Sequence, residues 1–460
     1  MDDSYMLDGE AAKALYDKVK GLPIYDYHCH LVPEQIYLDR RFNDIGELWL
    51  EADHYKWRVM REFGIDEKFI TGDATNKEKF FAFAEAIEHF IGNPVYHWVH
   101  LELKQYFGIC EPLSKRSAER IWNETLAAMA DGSFSARRLI ARSNVETVVT
   151  TDDPTSDLAY HKLLAKEERR FKVLPCIRTD RALAIEKADF ADYMGELSRA
   201  ADSEIGDFKG LVAALESRLD FFKKNGCPAM DVSFEDFAKE SGDAHIADTA
   251  LKKALAGESV SPCEEGHYKA ALLKELAAGL VKRDMVMQLH TGVVRNVNGA
   301  RFAKVGADSG IDSISNAVDV GAAGRLFDGI NSYSGMPKTI VYTLNKASYY
   351  PLASLLGDFA GESRGRMQLG AAWWFMDSRD GIREQLKIFA NTLGLGNFNG
   401  MLTDSRSFTS YARHDYFRRI LCSVMGKWID SGEYPMGEAA ESIAADVCYY
   451  NAKRFFGGER

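Results

Sequence analysis

LPIYDYHCH, residues 22–30, is a short apolar run that ends in two histidines one residue apart, and its plan recurs along the chain. VETVVTTDD (145–153), FKVLPCIRTD (171–180), CPAMDVSFED (227–236) and DMVMQLHTG (284–292) also pass from apolar to polar residues. TIVYTLN (339–345), RMQLGAAWW (366–374) and FNGMLTDSR (398–406) complete the series. Between them lie helix-like segments such as ADFADYMGELSRA and CEEGHYKAALLKELAAGLVKR, several with apolar residues three and four apart. Continuous apolar strands alternating with helices are the pattern of a parallel sheet buried on both faces. Eight such runs predict an α/β chain folded as a (β/α)8 TIM-type barrel.

The first two runs lie more than 100 residues apart, and the stretch between them is rich in aromatics, as in WLEADHYKWRVMREFG. Structureless loops of that length are uncommon inside a compact domain. The expectation is a large helical insertion after strand 1, residues 31–140, covering the C-terminal face of a barrel built from 1–30 and 141–460. A second helical insertion is expected at about 235–283.

Composition narrows the function. The chain has 460 residues, 46% hydrophobic and 27% charged, as a folded globular protein does. Its 57 basic and 68 acidic residues give a net charge of -11, and no basic block could track a phosphate backbone, so nucleic acid is not an expected partner. No apolar run approaches the ~20 residues that cross a bilayer, and the opening MDDSYMLDGE is unlike a secretory signal. Seven cysteines at irregular spacing, with no CxxC pair, suit a reducing compartment. These features predict a cytoplasmic protein with no membrane partner, and they do not exclude an anionic small molecule as partner. They are compatible with a homo-oligomer.

The polar residues gather at the C-terminal ends of the runs, the end that carries the active site in a barrel. They are His28 and His30, Asp152 and Asp153, Arg178 and Asp180, His290, Asn345, Trp373 and Trp374, and Asp404 and Arg406. Alternate strand residues face one side, so His28 and His30 would project together with Cys29 turned away. That geometry suits two imidazoles on one metal, although an HxH pair is more often plain core or surface. Closure of a barrel makes its first and eighth strands neighbours. Asp404 can then reach the same metal; an Asp–Arg surface pair with Arg406, or a helix cap, is the alternative.

His290 either completes a His/His/His/Asp set around a divalent metal, zinc or manganese, or hydrogen-bonds substrate. Strand four carries no lysine to bridge a second metal, which favours a single-metal site. Arg178 suits a bidentate pair with a substrate carboxylate and equally a structural salt bridge. His54 and Tyr55, in ADHYKWR, belong to the insertion expected over the barrel mouth; a tyrosine and a histidine near a metal can relay protons, although an isolated HYKW is usually plain helix surface and core.

Taken together, DYHCHL, ADHYKWR, NPVYHWVHLELKQYFGI, TTDDP, QLHTGVVRN, AAWWFMDS and GMLTDSRSFTSYARHDYFRR resemble the uronate isomerases, a branch of the amidohydrolase superfamily. The resemblance runs along nearly the whole chain. It implies a metal-dependent (β/α)8 barrel that interconverts D-glucuronate with D-fructuronate and D-galacturonate with D-tagaturonate. It also implies that His28, His30 and Asp404 surround the metal with His290 close by, and that His54, Tyr55, Arg178, Trp373 and Arg406 lie around the substrate.

Four short strings depart from the family pattern. Ile177-Arg178-Thr179-Asp180 stands for Trp-Arg-Pro-Asp, and Val232 for a histidine after Asp231. His290-Thr291-Gly292 stands for His-Ile-Gly or His-Tyr-Gly, and Leu344-Asn345-Lys346 for Leu-Asn-Pro. These changes bear on substrate preference and leave the metal set intact.

The reaction expected is proton transfer from C2 to C1 through an enediol, with Tyr55 or Asp404 as shuttle. Arg178 or Arg406 would face carboxylate or enediolate oxygens, and Trp373 would wall the pocket. No NAD is required. The alternative is a metal-dependent hydrolase of the same superfamily acting on a small sugar-acid derivative.

Overall fold

Seven strands form one parallel sheet in the order β1-β2-β3-β4-β5-β8-β9. They are β1 (Ile24–Asp26), β2 (Val145–Asp152), β3 (Lys172–Arg178), β4 (Ala229–Ser233), β5 (Val286–Thr291), β8 (Thr339–Thr343) and β9 (Met367–Leu369). Two short strands, β6 (Val293–Val294) and β7 (Ser313–Ile314), make a separate antiparallel pair just beyond β5. The computed structural model describes residues 3–361 and 363–457.

The strands are apolar along their length because both faces are covered. Every residue of β5 and of β8 is buried. Helices such as Ala159–Glu167, Phe208–Lys224, Pro262–Lys282, Val320–Ser334, Tyr349–Asp358 and Arg379–Thr392 alternate with the strands. This is a TIM-type barrel, with a packed core rather than a pore.

The ring departs from regularity where its ends meet. The eighth run, 398–406, was expected as a strand, yet none is formed there. Gly400 at φ 73° and Asp404 at φ 43° break the extended backbone that a ladder requires. Backbone and side chains close the ring instead. The Asp404 N–H donates to the His28 carbonyl at 3.1 Å, and the His30 N–H to the Ser405 carbonyl at 2.9 Å. On the other flank, the Asn399 N–H donates to the Gln368 side-chain oxygen at 3.1 Å. β1 also stops at Asp26, so the two histidines follow the strand rather than lie within it.

The segment after β1 is helical. Pro33–Tyr37, Ile45–Leu50, His54–Phe63, Asn76–Ile87, Pro94–Glu102, Ala118–Met129 and Ala136–Arg142 fill the stretch up to β2. Its aromatics form its interior: Trp49 packs on Phe80 and Phe83, and Phe80 on Trp122. The second insertion is smaller than expected. Pro262–Lys282 is the helix that leads into β5, which leaves Ala244–Leu255 as the added element.

Candidate active site

The site is built from the two ends of the barrel seam. His28 Nε2 lies 3.3 Å and His30 Nε2 3.0 Å from the same carboxylate oxygen, Oδ1 of Asp404. The other oxygen, Oδ2, accepts hydrogen bonds from the Trp373 indole at 2.7 Å and the Trp374 indole at 2.9 Å. Thr151 on β2 meets Nδ1 of His30 at 2.8 Å, which leaves Nε2 of that ring for the carboxylate side. Among the described residues, these three side chains are the one group of His, Cys, Asp and Glu whose ligand atoms converge, within 4.8 Å of one another.

Electrostatics favours the charge states that a cation needs at Asp404, His30 and His290, whereas the carboxylates around His28 draw that imidazole toward its protonated form. Burial alone would raise the Asp404 carboxyl, but hydrogen bonds from His28 and His30 hold it well below the usual range, so it is ionised. Burial lowers the His30 imidazole against the pull of Asp404. At His28, burial is outweighed by the Asp404 hydrogen bond and the charges of Asp231 and Asp404, and its imidazole is raised. His290 is pushed well below its ordinary value by burial and by the neighbouring His28, which makes it neutral.

His290 borders this cluster. Its ring lies 4.7 Å from that of His28, stacks on Tyr342 at 4.4 Å and meets Trp373 edge-on at 5.0 Å. Both of its nitrogens are buried without a hydrogen-bond partner among the described residues. Buried polar atoms are seldom left so, which marks a place where a ligand fits. Two imidazoles and a carboxylate, with a third neutral imidazole beside them, form a donor set that suits a divalent transition metal.

A cavity of about 420 Å³ opens above the cluster, within the size range of small-molecule sites. All nine expected site residues line it: His28, His30, His54, Tyr55, Arg178, His290, Trp373, Asp404 and Arg406. His54 and Tyr55 reach it because Asp53 caps the helix His54–Phe63, its carboxylate accepting the Tyr55 N–H at 3.0 Å and the Lys56 Nζ proton at 2.6 Å. Such a cap is worth ~1 kcal/mol. Burial lowers the His54 imidazole to about 4. Burial, with the charge of Asp404, pushes the Tyr55 phenol well above its ordinary value and keeps it protonated.

The arginines are less free than the sequence suggested. Arg178 donates to Asp180 at 2.9 Å and lies 3.3 Å from Asp231, so the salt-bridge alternative is present in the structure. Arg406 pairs with Asp308 at 2.9 Å. Asn345 and Asp152 do not line the cavity: Asn345 caps a short helix by accepting the Ala347 N–H, and Asp152 accepts from Thr150. Cys29 is buried and lies outside the cavity lining.

The lining residues that the sequence did not single out include Arg58, Arg295, Asp308 and Asp312. Arg58 lies one helical turn after His54 and so shares its face, a signal that could have found it. Arg295 follows β5 by a few residues, pairs with Asp312 at 2.9 Å and covers the Trp374 ring at 4.9 Å. Asp308 and Asp312 lie in an aperiodic loop that carries no sequence signal.

Fold and site define a (β/α)8-barrel enzyme with a cluster at its mouth able to hold a metal. The chain belongs to the glucuronate isomerase family, whose model matches residues 1–456. It is 45% identical to a uronate isomerase of Caldanaerobacter subterraneus subsp. tengcongensis and 45% identical to one of Caldicellulosiruptor bescii, each match covering 99% of both chains. Among solved structures it is similar to the uronate isomerase of Thermotoga maritima, with a TM-score of 0.94 and 32% identity over 99% of each chain. The glucuronate isomerase of Caulobacter crescentus shares the fold, with a TM-score of 0.91 at 24% identity over 100% of this chain and 97% of the other. The chain is an aldose–ketose isomerase acting on uronates, and the hydrolase alternative is not favoured. No helix among the described residues is long and apolar enough to cross a membrane.

Proposed function

We propose that the chain interconverts D-glucuronate with D-fructuronate and D-galacturonate with D-tagaturonate by proton transfer from C2 to C1. The observation that carries this reading is the ionised Asp404 carboxylate, held between His28 and His30 in a cavity shared with a protonated Tyr55. An ionised carboxylate accepts a proton and a phenol donates one. Asp404 takes the C2 proton and returns it to C1, while Tyr55 donates toward the oxygen on which enediolate charge collects. Arg178 and Arg406 orient the carboxylate end of the substrate, His54 and His290 hydrogen-bond it, and Trp373 walls the pocket.

His28, His30 and Asp404 would hold one divalent metal, zinc or manganese by donor type, with His290 as a further neighbour. When bound, such an ion supplies electrostatic stabilisation of negative charge on oxygen. The reaction returns both electrons to the substrate, so NAD has no part in it. Residues 1–30 and 141–460 act as the barrel unit and 31–140 as the cover that brings His54 and Tyr55 over the mouth. Seven cysteines at irregular spacing, with no CxxC pair, support a reducing, cytoplasmic setting.

The test is an NMR assay of both uronates with metal-stripped and metal-restored protein. Ketose formation restored by zinc or manganese is expected. Failure to isomerise either uronate in the restored protein would overturn the reading.

A further inference from the structure

Thr403, the residue before Asp404, is gripped from both sides by buried side chains. The Asp26 carboxylate accepts its backbone N–H at 2.8 Å and its hydroxyl at 2.6 Å. Its carbonyl accepts from Nη1 of Arg413 at 2.9 Å. The N–H of that same peptide unit, belonging to Asp404, donates to the His28 carbonyl at 3.1 Å. Both ends of the 403–404 peptide are therefore fixed, and with them the bond about which Asp404 turns. Asp404 sits at φ 43°, a left-handed conformation that a residue with a side chain keeps only where its surroundings over-determine it.

Arg413 also reaches away from the seam. Its guanidinium lies 4.0 Å from the centre of the Trp98 ring and 4.8 Å from that of Tyr55, both in the helical segment after β1. Asp377 is its nearest counter-ion, at 3.7 Å, and its Nε has no hydrogen-bond partner among the described residues. A buried guanidinium that is incompletely paired is expensive to keep, and apolar packing in its place is often no less stable. Stability alone is a poor account of it.

We infer that Arg413 is a positioning residue for the isomerisation, tying the seat of Tyr55 to the peptide that aims the Asp404 carboxylate at His28 and His30, with Asp26 as the second hold. This rests on the roles given above to Asp404 and Tyr55. Arg413 touches the tyrosine ring with one face and the Thr403 carbonyl with its edge, so it transmits the position of the cover to the seam. A lysine keeps the charge but has no planar fork to serve both contacts.

The test compares Arg413→Lys and Asp26→Asn with the wild-type enzyme by steady-state kinetics, circular dichroism and zinc affinity from chelator competition. Expected for Arg413→Lys are a tenfold or greater loss of kcat, KM within threefold, and a zinc dissociation constant raised at least tenfold, with helix content unchanged. Asp26→Asn moves kcat and zinc affinity in the same direction, and it carries the test if Arg413→Lys does not fold. Wild-type kcat and zinc affinity in a folded Arg413→Lys, or in Asp26→Asn when it stands alone, would overturn the inference.

A double variant with Tyr55→Phe checks the tie to the cover. A combined loss smaller than the product of the single losses is expected, and a full product would break that link. If Tyr55→Phe alone has full activity, the role of Tyr55 fails, and the zinc affinity of Arg413→Lys still decides the hold on Asp404.

Discussion

The Trp373 indole nitrogen stands 2.7 Å from Oδ2 of Asp404, the oxygen turned away from the one that His28 and His30 approach. One carboxylate thus has each oxygen assigned to a different set of partners, and its plane cannot swing. Trp373→Phe removes the donor and keeps the aromatic wall, while the Trp374 indole at 2.9 Å remains. A hydrogen bond to a charged group is worth ~1.5–3 kcal/mol, which sets an expected loss of about 10- to 150-fold in kcat. Kinetics on D-glucuronate, with thermal melting as the folding control, checks it; unchanged turnover would show that Trp373 only lines the wall.

Thr151 governs His30 from behind, through the 2.8 Å contact with Nδ1. Thr151→Val keeps the shape and deletes the hydroxyl. Partners of this kind are worth 10–100-fold in metal affinity or activity, about the range expected here. Metal titration of the stripped variant followed by a spectroscopic competitor reads it directly. An affinity equal to wild type would mean that the orientation of His30 is set by Asp404 alone.

Gly370 leaves β9 against the face of Tyr342, and a methyl group there would run into the ring. Tyr342 in turn lies flat under His290 and is fixed by its hydroxyl on Gln288 at 2.7 Å. Gly370→Ala should cost about 1–3 kcal/mol by overpacking and shift His290 through the displaced ring. Denaturant unfolding measures the first effect and the histidine signals in a heteronuclear NMR spectrum the second. A variant as stable as wild type would show that Tyr342 yields without strain.

His100 supplies a pH dependence remote from the site. Its Nε2 accepts the Leu113 N–H at 2.8 Å and its Nδ1 meets the Tyr96 carbonyl, so the ring is neutral. Burial lowers it to about 4, against the upward pull of that carbonyl. A group whose folded value lies below its unfolded value of 6.5 gives its full stability above 6.5. As pH falls from there toward 4, the unfolded chain takes up the proton first and the contribution is lost, by up to ~1.4 kcal/mol per pH unit. Unfolding free energies of wild type and His100→Gln at pH 7.5, 6 and 5 should therefore converge, and a constant difference would refute the assignment.

The barrel was legible because its strands are buried on both faces, which forces uninterrupted apolar runs such as VMQLHT of β5. His28, His30 and Asp404 could be brought together from the sequence because barrel closure says which strand ends meet, and the family resemblance picks them out from the other polar residues gathered there. What stayed hidden depends on long-range geometry. Nothing local announces that Asp404 takes φ 43°, that two indoles share its outer oxygen, or that Arg178 also pairs with Asp231 on the adjacent strand. The rim residues Asp308 and Asp312 come from a loop without periodicity, and periodicity is the signal on which a sequence reading rests. The second insertion was overdrawn because a helix that belongs to the barrel and one added to it look alike in sequence.

The missing eighth strand makes the barrel a bracelet with a clasp. Six of its joints are ladders of backbone hydrogen bonds, whereas on either side of residues 398–406 the ring is held by a few bonds, those on the β1 side around His28, His30, Thr403 and Asp404. Any ion gripped from both sides of that gap contributes its binding free energy to keeping the bracelet shut. With the metal proposed above as that ion, catalytic competence and resistance to opening would be set by one and the same event, and a chelator would loosen the ring at the place where it silences the chemistry.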